Sequence, residues 1–189
     1  MSKRLALLAA ATALALVSGA AVTTLAQEKT VQVGGAPMYP SKNIIQNAVN
    51  SKDHTTLVAA VKAAGLVDTL QGAGPFTVFA PTNDAFGKLP AGTVETLLKP
   101  ENKGTLSKVL TYHVLPGRLT AVDLMKAIKE GGGMAKFKTV EGEELIIKQP
   151  SAGKLSITDA KGGSSMVTIG DVLQSNGVIH VVDTVLMPA

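Results

Sequence analysis

No cysteine occurs in these 189 residues, and no tryptophan. The first absence excludes disulfides, so stability must come from packing alone, and it leaves no thiol to acylate in a lipoprotein anchor. Aromatic residues make up 3% of the chain, with two tyrosines and four phenylalanines. Binders of sugars and bases stack their ligands on Trp and Tyr, so a stacking platform is not expected. Charge is scarce too: Lys and Arg exceed Asp and Glu by only four. That excess is too small and too evenly spread for a nucleic-acid partner. The three histidines (His54, His113, His180) show no metal-ligand spacing, and no Gly-x-Ser-x-Gly elbow is present. No period recurs along the chain, which excludes a repeat array.

What is present divides into a leader, a tether and one domain. Lys3 and Arg4 precede an apolar run, Leu5 to Val17, with small-x-Ala sites ending at Ala20 and Ala26. Residues 1–26 are expected to be a signal peptide cleaved after Ala26, leaving no membrane span. Residues 27–42 carry Gly34, Gly35, Pro37 and Pro40 with little periodicity and are expected to form a flexible tether, laid across the domain surface. The domain is expected over residues 43–189.

Helical spacing begins at Asn43, with Ile44, Ile45, Ala48 and Val49 on one stripe. Asp53 is expected to cap a second helix with Leu57, Val58, Val61 and Ala64 inside, ended by Gly65. Phe76 to Ala80 reads as a strand, followed by Asn83 and Asp84 as turn and cap residues. Further helices are expected around Leu106–Leu110 and after Thr120, the latter with Val122, Leu124, Met125 and Ile128 inward. From Ala135 the pattern alternates, with turns at Glu141-Gly142 and Gly162-Gly163. Helices first and antiparallel strands later define an α+β domain.

The chain closes on Asn176-Gly-Val-Ile-His-Val-Val-Asp-Thr-Val-Leu-Met-Pro188. Asn-Gly readily takes the positive φ angles of a tight turn, and the β-branched run after it, apolar on both faces, reads as a covered central strand. In a strand, Val178, His180 and Val182 share one face, whereas Ile179, Val181 and Asp183 share the other. A direct His180–Asp183 relay is therefore excluded. For His113 and His180 the favoured reading is a buried imidazole hydrogen-bonded within the framework.

Three stretches resemble the fasciclin domain family: Phe76-Thr-Val-Phe-Ala-Pro-Thr-Asn-Asp-Ala-Phe86, the closing stretch above, and Tyr112-His113 between them. The resemblance covers roughly Asn43 to Pro188. It implies a fasciclin-like antiparallel β wedge or sandwich with helices packed on one side. It marks Asn83, Asp84, Tyr112, His113, Asn176, Gly177 and His180 as family structural motif residues. It also implies an exported protein working through adhesion or protein contact. In animal members an Asp-Ile pair before the second signature is associated with integrin binding. The matching residues here are Asp171-Val172; Asp171 reads first as a turn or cap residue, and the carry-over is limited to a partner-contact patch there rather than an integrin site.

The resulting expectation is an exported, non-enzymatic domain that binds a protein or matrix partner at the cell surface, with no cofactor and no metal. It is periplasmic or secreted further. Two alternatives remain: a periplasmic binder of a small apolar ligand held between helices and sheet, and a hydrolase using His113 or His180. Geometry weighs against the last.

Overall fold

The computed structural model describes residues 29–189. The expected signal peptide, residues 1–26, lies outside the described residues. The chain then runs through a small hairpin, β1 (Val31–Val33) and β2 (Ala36–Met38), and a helical half. That half comprises α1 (Ile44–Ala48), α2 (Thr55–Ala64), α3 (Val67–Gln71), β3 (Phe76–Pro81), α4 (Asn83–Gly87), α5 (Thr93–Leu97), α6 (Lys103–Tyr112) and β4 (Val114–Pro116). After α7 (Ala121–Glu130) come β5 (Met134–Lys138), β6 (Glu144–Ser151), β7 (Lys154–Thr158), β8 (Ser164–Gln174) and β9 (Gly177–Val182).

Within the stretch expected as a tether, residues 27–42, residues 31–38 form a hairpin. Gly34 and Gly35 both have positive φ, as a two-residue turn of this hand requires, and they join the two short strands. A Cβ at Gly34 would collide with Ser51 Oγ and stand 2.7 Å from the Asp53 backbone nitrogen. The hairpin tip therefore lies against the chain before α2, where Lys52 N–H donates to Gly34 O at 3.2 Å. Val33 and Met38 are buried in the core. The glycines read as flexibility are turn formers.

Seven strands form one mixed sheet in the order β4-β3-β9-β8-β7-β6-β5. Every neighbouring pair is antiparallel except β3 and β9, which run parallel from Phe76 opposite Gly177 to Pro81 opposite Val182. The sheet nearly closes on itself, because Val140 N–H, just beyond β5, donates to Val114 O of β4 at 2.8 Å.

Side-chain alternation along β3 and β9 feeds two cores. Val78, Ala80, Ile179 and Val181 face the helical layer, joining Ile44 and Ile45 of α1, Leu57 and Val61 of α2, and Leu106, Val109 and Leu110 of α6. Phe79 and Val182 face the other way, into a core closed by Leu145, Ile147 and Ile157 and by Leu124 and Ile128 of α7. All six residues of β9 are buried, as expected for a covered central strand. Helices α1–α6 thus pack on one face, while α7 plugs the opposite one. Val122 departs from its expected place: it is 66% exposed, since the inward stripe of α7 is carried by Leu124 and Ile128.

Candidate functional site

His180 sits in the middle of β9, fully buried, its ring 5.7 Å from that of Phe79, its register partner on β3. Its Nε2–H donates to Leu119 O at 2.9 Å, and Nδ1 accepts the Asp171 N–H at 3.3 Å. Both nitrogens are thus taken by backbone. Burial pushes its pKa down, opposed by the Leu119 carbonyl and the Asp171 charge, so the ring is neutral at pH 7. Asp183 lies past the strand end and does not meet it. That carboxylate accepts Met166 N–H at 2.8 Å and the Thr184 hydroxyl at 3.0 Å, with Lys88 Nζ 3.6 Å away.

His113 follows the last residue of α6. Its Nδ1–H donates to Val109 O at 2.7 Å, and its Nε2 accepts Leu186 N–H at 2.9 Å. Complete burial pushes this imidazole down to about 4, with the Val109 carbonyl and the Asp159 charge opposing. The preceding Tyr112 turns into the other core. Its hydroxyl donates to Glu144 O at 3.1 Å and accepts Ala160 N–H at 2.9 Å, tying α6 to β6 and the turn after β7. Desolvation pushes its pKa up, against the pull of the Ala160 N–H.

Asn176 and Gly177 occupy their places for reasons other than a positive-φ turn, since neither has positive φ. The Asn176 carboxamide accepts Ile44 N–H at 3.1 Å and donates to Leu70 O at 2.8 Å and Gly72 O at 2.9 Å. One side chain thereby joins the start of α1 to the end of α3. A Cβ on Gly177 would collide with the Phe76 carbonyl oxygen, so only glycine lets β9 enter beside β3.

Asn83 also differs from its expected part as a local cap. Thr82 caps α4 through Ala85 N–H, while Asn83 Oδ1 reaches across to Thr56 N–H at 3.0 Å and Asn83 Nδ2 donates to Lys52 O at 2.8 Å. That supplies the start of α2 with the acceptor expected from Asp53, which lies instead in a 3-10 turn over Lys52–His54. Asp84 is exposed in the first turn of α4, where its charge suits the helix dipole.

Of the pair Asp171-Val172, only the half-buried Asp171 is open to a partner. Val172 is fully buried in the core between sheet and helices. Asp171 is bent to φ 54 within β8, and its Oδ1 accepts the Ala121 N–H at 2.6 Å. It thus satisfies one orphan donor at the start of α7, beside the capping box of Thr120 and Asp123. A side chain so placed orients a helix; a partner cannot reach its neighbour.

The residues expected from sequence are therefore spread over at least three junctions, and they do not converge on a pocket. Between the helices and the sheet lies an apolar cavity of about 30 Å³, lined among others by Met38, Leu57, Val61, Ile179, His54 and His113. A single water needs roughly 10–15 Å³ of such space, and a benzene-sized ligand about 150 Å³, so no organic ligand fits without rearrangement. His54, buried at the cavity wall, bonds Ser51 Oγ through Nδ1 at 2.9 Å, and its Nε2 has no aligned partner. Burial pushes this imidazole down as well, opposed by the Ala80 carbonyl and the Asp53 charge.

An open groove of about 720 Å³ runs between α7 and β6. Its walls are Val122, Met125, Lys126 and Lys129 on the helix and Gln149 on the strand, with Gly132 and Gly133 at one end. Sequence reading missed it because Val122 was assigned to the interior. The one signal was Val122 itself, an apolar residue two positions before Leu124 on a helix whose inward stripe lacks room for both.

Comparison with known proteins agrees with this architecture. The model of the fasciclin domain matches residues 52–188. Protein sll1483 of Synechocystis is 48% identical over 161 residues, covering 85% of this chain and 82% of that protein. The immunogenic protein MPB70 of Mycobacterium bovis is 35% identical over 146 residues, covering 75% of this chain and 66% of that one. Among solved structures, a domain pair from the insect cell adhesion molecule fasciclin I superposes with a TM-score of 0.69 at 22% identity, covering 79% of this chain and 52% of that one. With the match spanning both signatures and the fold in common, this chain belongs to the fasciclin domain family.

Proposed function

We propose that this chain is an exported, non-enzymatic fasciclin-type domain that mediates adhesion or protein–matrix contact at the cell surface. The observation that carries the reading is where the signature residues are used. His113, His180, Asn176 and Tyr112 direct their polar atoms to backbone partners and hold the framework together. Among the described residues, neither His113 nor His180 has a Ser, Asp or Glu side chain as a hydrogen-bond partner to activate as a nucleophile. Function then belongs to the surface. The basic start, apolar core and small-x-Ala sites of residues 1–26 support export. The fasciclin I relative, a cell adhesion molecule, supports the adhesive role.

The test compares cells carrying and lacking the protein for attachment to a matrix-coated surface, with add-back of the purified chain. Restored attachment is expected. No change on deletion or add-back, with the added protein folded, would overturn the adhesive reading.

A further inference from the structure

The groove between α7 and β6 carries features of a docking surface, and we infer that it receives an acidic protein segment bearing apolar side chains. This rests on the surface-binding reading above and names the place and chemistry of the contact. Three observations converge on it. Val122 is 66% exposed on the groove wall. Met125 and Ile128 line the same wall, so Val122 belongs to an apolar strip rather than standing alone. Met125, also on the wall, has the unbranched thioether side chain that adapts to varied apolar partners.

The rim is cationic. Lys126 and Lys129 flank the apolar wall. Neither acid of α7 lines the groove: Asp123 turns back to Thr120 at the helix start, and Glu130 is absent from the wall. Glu130 approaches Lys126 only at 4.0 Å, with both side chains mostly in water, a pair too exposed to neutralise the rim. Lysine stems lie along apolar surface while their ammonium groups stay at the edge, so they extend the apolar floor and fix its sign together. The complement is an apolar strip edged by carboxylates. The concave shape favours a protein segment over a lipid surface, because apolar anchors that enter a bilayer must protrude.

The experiment titrates the ¹⁵N-labelled protein with a short fluorescein-labelled peptide of alternating glutamate and leucine pairs, following amide shifts and anisotropy. Companion peptides replace every Glu by Lys or every Leu by Ser, and vesicles of anionic phospholipid form a separate arm. Binding of the Glu/Leu peptide is expected, with shifts at Val122, Lys126, Lys129, Gly132, Gly133 and Gln149, and weakening as salt is raised. Lys126→Glu/Lys129→Glu should weaken it by about tenfold or more, and Val122→Ser should weaken it without changing the salt dependence. The equal charge change Lys99→Glu/Lys161→Glu, at exposed sites away from the groove, should leave it within about twofold.

Shifts elsewhere, equal loss in the Lys99→Glu/Lys161→Glu control, or equal affinity for the Leu-to-Ser peptide would overturn the proposal. Binding to vesicles but not to the peptide would overturn it in favour of a membrane surface. The adhesion assay separates the two readings: attachment that survives Lys126→Glu/Lys129→Glu keeps the adhesive function and discards this groove.

Discussion

The Asn176 carboxamide makes three hydrogen bonds, all to backbone: buried ones with Ile44 N–H and Leu70 O, and a half-buried one with Gly72 O. These are the groups a helix leaves orphaned at its ends, one donor at the start of α1 and carbonyls around the end of α3. Removing the side chain takes their partner from the buried Ile44 N–H and Leu70 carbonyl, while the half-buried Gly72 carbonyl can turn to water. Leaving one such group unpaired costs about 1–3 kcal/mol, and not all three lose equally. Asn176→Ala is expected to lower stability by about 3 kcal/mol in urea unfolding, with no change in m-value. Asn176→Asp tests the same point differently, because it keeps the acceptor for Ile44 N–H but turns a carboxylate toward two carbonyls. It should be at least as damaging as the alanine at neutral pH. A loss under about 0.5 kcal/mol for both would show the carboxamide to be dispensable, within the range of surface substitutions.

At the scale of elements, legibility in the sequence followed the range of the interactions. The β5–β6 hairpin was readable because its alternation and its Glu141-Gly142 turn lie within a few residues of each other. The α7 cap was readable for the same reason, Thr120 and Asp123 being three apart. The parallel pairing of β3 with β9 was not, since these strands are about a hundred residues apart and no local pattern selects which strand lies beside which. Asp171 read as a turn or cap residue, but the helix it serves was not legible, because an acid capping locally and one capping a helix fifty residues away are identical in sequence. The N-terminal hairpin failed on composition: two glycines and two prolines in sixteen residues suggest a linker, whereas the decisive residues are Val33 and Met38, one on each strand. Burial turns the difference into a measurement. Met38 is 2% exposed and touches the core that α1 and β9 share, so Met38→Ala should cost about 2–4 kcal/mol by lost transfer energy and residual cavity. A tether would lose nothing. Slow amide exchange at Val33, matching the global unfolding rate, would accompany it; melting temperatures equal for Met38→Ala and the parent would return the segment to a tether.

The whole molecule holds its three imidazoles in three different junctions, and all are kept neutral. His54 lies between the hairpin tip and α2, His113 between α6 and the C-terminal segment, and His180 between β9 and the loop entering α7. Burial is the leading cause of the lowered pKa in each, and His113 is pushed down to about 4 from 6.5. In the unfolded chain each returns to the ordinary imidazole value. Below pH 6.5 the unfolded chain therefore takes up protons that the fold refuses, and stability falls as pH falls. The loss from His113 accrues between 6.5 and about 4 and amounts to about 2 kcal/mol by pH 5, with His54 and His180 adding in the same direction. The Asp183 carboxyl, which burial would raise, is held below its usual value by Met166 N–H, the Thr184 hydroxyl and Lys88. Its contribution is lost only at still lower pH. At the other end the buried Tyr112 hydroxyl resists ionisation, so stability falls again above the ordinary tyrosine pKa of 10. Urea midpoints are therefore expected to be level from about pH 7 to 9 and to drop steadily below 6.5, the slope counting the protons taken up on unfolding. The Asp159, Asp171 and Asp53 charges favour the protonated rings of His113, His180 and His54 respectively, but burial outweighs each of them and the slope keeps its sign. A midpoint unchanged between pH 7.5 and pH 5 would mean that the imidazoles take up protons without breaking their backbone bonds, and the framework role assigned to His113 and His180 would fall with it.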